Sequence, residues 1–162
     1  MPEAGALSHI DISVGYPQRS IPFYDALLTA LGYRRWQIDM PENWDIEELD
    51  DAVSLFNPDS SGTLLISTIK EDEIISDEYL EELVSDHIDA GADLHDVECG
   101  EFDGVSCCYE ADAGYWCEWY LRHGAIMLFV TYDCALEDEG NEDDLVDSML
   151  ETLAIVHRAN IH

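Results

Sequence analysis

Between about residues 94 and 133 the chain reads as four strand-length segments in close succession, near 94–100, 103–110, 115–122 and 125–133. Tight turns are expected at Ala113-Gly114 and at His123-Gly124. Connections this short leave no room for a crossover, so consecutive strands must run antiparallel, as a meander. Two earlier strands are expected near 52–57 and 64–70, joined by the turn Asn57-Pro58-Asp59-Ser60-Ser61-Gly62. Between the two groups a helix starts with Ser76 as N-cap and with Asp77 and Glu78 in its first turn, where carboxylates suit the helix dipole. Its stripe Leu80, Leu83, Val84, His87 and Ile88 is expected to face the core, with Gly91 as the stop. A last helix opens at Asn141, carries Glu142, Asp143 and Asp144 in its first turn, and should bury Leu145, Val146, Met149, Leu150 and Leu153. Strands outnumber helices and connect by hairpins. The expected fold class is therefore α+β, a mostly antiparallel sheet with helices packed on it.

The 162 residues, 47% of them hydrophobic, are enough to bury a core. Against that globular composition stand 37 Asp and Glu and only 6 Lys and Arg, for a formal charge of −31. Nucleic-acid binders gain affinity by neutralising phosphates with cations, so no nucleic-acid partner is expected. The same field repels anionic lipid, and no apolar run reaches the ~18–20 residues that span a bilayer, so no membrane partner is expected either. Basic proteins and divalent cations remain open as partners. The opening Met1-Pro2-Glu3-Ala4-Gly5 lacks the pattern of a signal peptide. Five cysteines, Cys99, Cys107, Cys108, Cys117 and Cys134, make an odd count without a C-x-x-C pair, from which reduced thiols and a cytoplasmic location are expected. Cys107 and Cys108 are strand neighbours and should point to opposite faces.

The charge is not evenly spread. Residues 1–36 balance Glu3, Asp11 and Asp25 against Arg19, Arg34 and Arg35, while every other acid falls after them with only Lys70, Arg122 and Arg158 in opposition. This step reads as a junction between segments of different origin. The expected organisation is a β–α segment over 1–35 and an α+β domain over 36–162. Ile10, Ile12 and Val14 alternate as a short strand, and Phe23, Tyr24, Leu27, Leu28 and Leu31 form the apolar stripe of a helix that Gly32 stops.

Within the meander, alternation splits residues 115–122 between two faces. Tyr115, Cys117, Trp119 and Leu121 share one; Trp116, Glu118, Tyr120 and Arg122 share the other. The second set mixes aromatics, an acid and the only cation between Lys70 and Arg158, and is the candidate binding site for a peptide or small ligand. The competing structural role for Arg122 is an ion pair with Glu118 or with an acid on a neighbouring strand. The acidic run Glu137-Asp138-Glu139-Gly140-Asn141-Glu142-Asp143-Asp144 lacks the ligand spacing of a calcium-binding loop, and helix capping and solvation account for it. The six histidines (9, 87, 95, 123, 157 and 162) are scattered, and no catalytic constellation stands out.

Two resemblances add to this reading. Leu7-Ser8-His9-Ile10-Asp11-Ile12-Ser13-Val14, with Arg19 to Tyr24 and Leu27 to Tyr33, resembles the opening β–α unit of the vicinal oxygen chelate (glyoxalase/bleomycin-resistance) superfamily. That likeness implies a divalent metal ligand at His9. Residues 36–156 are similar to a PsbP/Mog-like (DcrB-like) family of small acidic bacterial proteins. The likeness rests on Trp36 to Trp44, Asp51 to Pro58, Gly114 to Arg122, Leu128 to Tyr132 and Cys134. It covers far more of the chain, implies a binding protein without cofactor, and supplies no catalytic residues. The expected function is an acidic binding module for a basic protein, immunity- or chaperone-like. The alternative is a metal-dependent vicinal oxygen chelate enzyme that uses His9.

Overall fold

A computed structural model describes residues 35–50 and 52–156 of the chain. The strand at 10–14, the helix after Pro22, and His9 with the metal role implied for it lie outside the described residues. The elements run β1 (Arg35–Gln37), β2 (Asp45–Glu48), β3 (Ala52–Phe56), β4 (Thr63–Lys70), α1 (Asp77–Leu83), α2 (Ser85–Asp89), β5 (His95–Cys99), β6 (Phe102–Ala111), β7 (Gly114–His123), β8 (Ile126–Ala135), α3 (Asp143–Leu150) and β9 (Ala154–Val156). Seven strands form one sheet in the order β2-β3-β4-β8-β7-β6-β5, every neighbouring pair antiparallel. β1 and β9 form a separate antiparallel ribbon in which Trp36 pairs with Ile155. The α+β class expected from hairpin-linked strands is the one observed.

Alternation along the strands divides the apolar residues between two layers. On one face Val53, Leu55, Leu64, Ile66, Trp119, Leu121, Leu128 and Val130 meet Val146, Met149 and Leu150 of α3, together with Trp36, Ile38, Met40 and Trp44 from the chain around β1. Most of these side chains are excluded from water, and each removed from it contributes roughly 1.5–3 kcal/mol. The opposite face carries a smaller cluster, Ile75, Leu80, Val84, Tyr120 and Met127, beneath α1 and α2.

Several local expectations need correction. The β6–β7 turn is Asp112-Ala113, not Ala113-Gly114: Ala111 pairs with Gly114, and both turn residues have positive φ (52° and 63°), as a primed two-residue hairpin requires. The next hairpin likewise closes His123 on Ile126, so its loop is Gly124-Ala125, with Gly124 at φ 63°. The single helix expected after Ser76 is two. Ser76 Oγ does accept the Tyr79 N–H at 3.1 Å, but the helix breaks at Val84, and a second short helix follows over Ser85–Asp89 with no fully buried residue. Ile88 is consequently 48% exposed, and His87 is only half-buried. At the far end α3 begins at Asp143 with Glu142 as N-cap, and Leu145 is exposed while Val146, Met149, Leu150 and Leu153 are buried. β2 was not anticipated, because Asp-Ile-Glu-Glu is poor strand sequence; charges on an outer strand discourage edge-to-edge pairing.

The largest correction concerns the cysteines. Cys108 and Cys117 lie directly opposite each other on β6 and β7 and form a disulfide. The odd count concealed it, because Cys99, Cys107 and Cys134 remain free and buried. Cys107 and Cys108 do face opposite sides of the sheet, as strand geometry demands. Denaturing the unreduced protein should expose three titratable thiols per chain, and five after reduction. Five thiols before reduction would remove the bridge.

Candidate functional site

The sheet face under α1 and α2 contains a buried acid. Glu118 is 9% exposed and lies on β7 between β6 and β8, opposite Cys107 and Thr131. A carboxylate in such a place must be hydrogen-bonded, since leaving it unpaired would cost several kcal/mol. Three donors reach it. Tyr109 Oη donates to Oε2 at 2.5 Å, Tyr120 Oη donates to Oε1 at 2.7 Å, and His87 Nε2 lies 2.9 Å from Oε1. Tyr120 Oη is also 3.4 Å from His87 Nε2, and the His87 and Tyr109 rings pack with centroids 5.7 Å apart. Burial alone would raise the Glu118 pKa, but the three hydrogen bonds and the imidazole outweigh it and hold the carboxyl below its ordinary value. The reverse applies to the donors: burial, then the bond to Glu118, pushes both tyrosine hydroxyls well up. Burial, followed by the Glu118 charge, also raises the Cys107 thiol.

The four candidate side chains do not form one groove. Glu118 and Tyr120 meet in this knot. Trp116, opposite Tyr109 in register, is half-buried farther along β7. Arg122 is drawn away to the start of α1: its guanidinium donates to the Ile75 carbonyl at 2.9 Å, to Asp77 at 2.6 Å and to Asp103 at 3.2 Å. The bond to Asp77 is the main reason its pKa rises. Asp103 is the acid on the neighbouring strand that the structural role for Arg122 required, and Glu118 is not its partner. Sequence reasoning missed His87, Tyr109 and Cys107 at the site. Glu118 was itself the available signal, because an acid on a central strand calls for donors from the residues facing it.

Beside the knot a groove of about 890 Å³ opens between α1–α2 and β5–β6. Ile88, Leu94 and Val105 supply an apolar lining; Glu81, Asp96, Glu98 and Asp103 line it with carboxylates, and Arg122 is the one cation there. The helix break at Val84 exposes Ile88 to this space. Among the described residues no helix is long and apolar enough to cross a membrane.

No protein-family model and no curated protein matches the sequence. Solved structures do match in shape. A protein of Bacteroides thetaiotaomicron VPI-5482 superposes with a TM-score of 0.58 at 16% identity over 78% of this chain, which spans about half (47%) of that protein. LpqN of Mycobacterium tuberculosis, described as involved in cell envelope biogenesis, gives 0.53 at 11% identity over 94% of this chain and 96% of LpqN. The cyanobacterial PsbP protein of Synechocystis sp. PCC 6803 gives 0.43 at 8% identity over 75% of this chain and 86% of its own. At these identities the first two likenesses show a shared fold and nothing of function.

The knot can be tested directly. Glu118→Gln keeps the shape but turns an amide N–H₂ toward a donor, and should lower stability by about 1–3 kcal/mol in urea titration. Tyr109→Phe, which removes one donor of three, should lower it by about 1 kcal/mol. Two neutral substitutions would mean that the carboxylate does not organise this face.

Proposed function

We propose that the protein is a binding module for a basic, partly apolar polypeptide segment, seated in the groove between α1–α2 and β5–β6. The observation that carries this reading is the pairing of an apolar lining, Ile88, Leu94 and Val105, with the carboxylates of Glu81, Asp96, Glu98 and Asp103. Apolar anchors supply affinity when they leave water, and Lys or Arg flanking them would meet the carboxylates. The charge of −31 acts at longer range, steering basic proteins inward and turning nucleic acid and anionic membranes away. An immunity- or chaperone-like role, in which the chain sequesters or escorts a basic protein, is the biological form of this reading. The Cys108–Cys117 bridge favours an oxidising setting for that encounter over the cytoplasm.

The test is a fluorescence-anisotropy titration with a synthetic amphipathic peptide that carries Lys flanks around Leu and Trp anchors, in about 0.15 M salt. Glu81→Lys/Glu98→Lys should weaken binding tenfold or more. Asp45→Lys/Glu47→Lys makes the same change of charge on β2, at the opposite edge of the sheet, and should change binding less than about threefold because such separations are screened beyond ~8 Å. Equal losses from the two pairs would mean diffuse attraction to an acidic surface, and the groove assignment would fall.

A further inference from the structure

Around Glu118, hydrogen bonding explains the tyrosines and the imidazole but leaves one neighbour unused. Cys107, directly opposite Glu118 on β6, is 1% exposed and turns its thiol into the same space. The ligating atoms of His87, Cys107 and Glu118 all lie within 4.8 Å of one another. They come from three separate elements, α2, β6 and β7, so tertiary packing and not local sequence gathers them.

The geometry points to a binding site for a thiophilic divalent cation of the Zn²⁺ class, held by His87 Nε2, Cys107 Sγ and a Glu118 carboxylate oxygen. Sulfur, imidazole nitrogen and carboxylate oxygen form a mixed donor set that suits Zn²⁺ and disfavours Ca²⁺ or Mg²⁺, which take oxygen alone. With bonds of about 2.0–2.3 Å in a tetrahedral site, ligand atoms sit about 3.3–3.8 Å apart. Small side-chain rotations bring the three atoms to that spacing from within 4.8 Å of one another, with His87 Nε2 and Glu118 Oε1 opening from 2.9 Å. The cation displaces the Cys107 thiol proton to solvent and takes the place of the Nε2 proton that faces Glu118, leaving a neutral imidazole with its one proton on Nδ1. Glu118 enters as the carboxylate it already is. Tyr109 and Tyr120 remain as donors to the second lone pairs of that carboxylate and fix its orientation. Three protein ligands leave a fourth position for water.

A chain this acidic binds cations loosely at many surface carboxylates, so stoichiometry alone is not the test; a bond to sulfur is. The full-length protein, stripped with a chelator, is titrated with Co²⁺ and then with Zn²⁺. One equivalent of Co²⁺ should produce a thiolate-to-metal charge-transfer band in the near ultraviolet, and Zn²⁺ should abolish it. Cys107→Ser and His87→Ala should each lose the band and weaken binding at least tenfold. Cys99→Ser, which alters a buried thiol on the other face, should keep both. Zn²⁺ should raise the melting temperature of the parent protein by several degrees, and that of Cys107→Ser by none. Comparing each variant with and without metal separates lost binding from lost folding. No charge-transfer band in the parent protein, or equal Co²⁺ affinity in Cys107→Ser, would reduce the binding to surface carboxylates and overturn the site. The groove variant Glu81→Lys/Glu98→Lys should leave the band intact, so failure of either site does not decide the other.

Discussion

The pairing of β7 with both neighbours is the constraint on which the remaining arrangement depends. From Gly114 to His123 every residue is in register with β6 on one side, β8 on the other, or both. Because a strand alternates faces with a period of two, that register sends Cys117, Trp119 and Leu121 into the large core and Glu118 and Tyr120 toward the helices. A slip of one residue would exchange the sets and bury a carboxylate among leucines, valines and tryptophans. The Cys108–Cys117 bridge ties β6 to β7 in this register and no other. Gly104 does so by shape: a Cβ there would run into the backbone of Tyr120 on the opposite strand.

Charge is handled at two scales. Across the surface, dozens of carboxylates stay hydrated and set a long-range field without shaping the fold. Inside, single charges are paired individually. Glu118 takes three donors. Arg122 is shared among Asp77, Asp103 and the Ile75 carbonyl, which fastens the start of α1 to the sheet. Tyr132 reaches the Glu142 carboxylate at 2.6 Å beside the N-terminus of α3, an anchor of the same kind on the other face. Each tyrosine here spans an apolar layer with its ring and finishes on an acid with its hydroxyl.

Much of the framework was legible in the chain. Segments at 52–57, 64–70, 94–100, 103–110, 115–122 and 125–133 match β3 to β8 within a residue or two, because alternating apolar positions and short turns are local signals. The two faces of β7 were readable for the same reason. Turn position was less so. A turn at 113–114 would have set Glu118 opposite Tyr109; the Asp112-Ala113 turn sets it opposite Cys107. Asp tolerates positive φ but nothing marks Ala113 as a residue that will take it, so the strand pairing decided the turn. The helix break at Val84 was hidden too, since the apolar stripe runs on through Ile88 with no glycine or proline to mark it.

By itself the sequence determined the antiparallel α+β architecture, the placement of Glu118 and Tyr120 on a common face, and a formal charge of −31. Those properties depend on periodicity, turn length and net charge, each of which is summed along the chain. Tertiary structure decided which cysteines pair, where Arg122 is neutralised, that His87 and Cys107 converge on Glu118, and that Ile88 opens onto an acidic groove. These depend on distances between residues 9 to 45 positions apart, and such distances are set only when strand register and helix docking are set together.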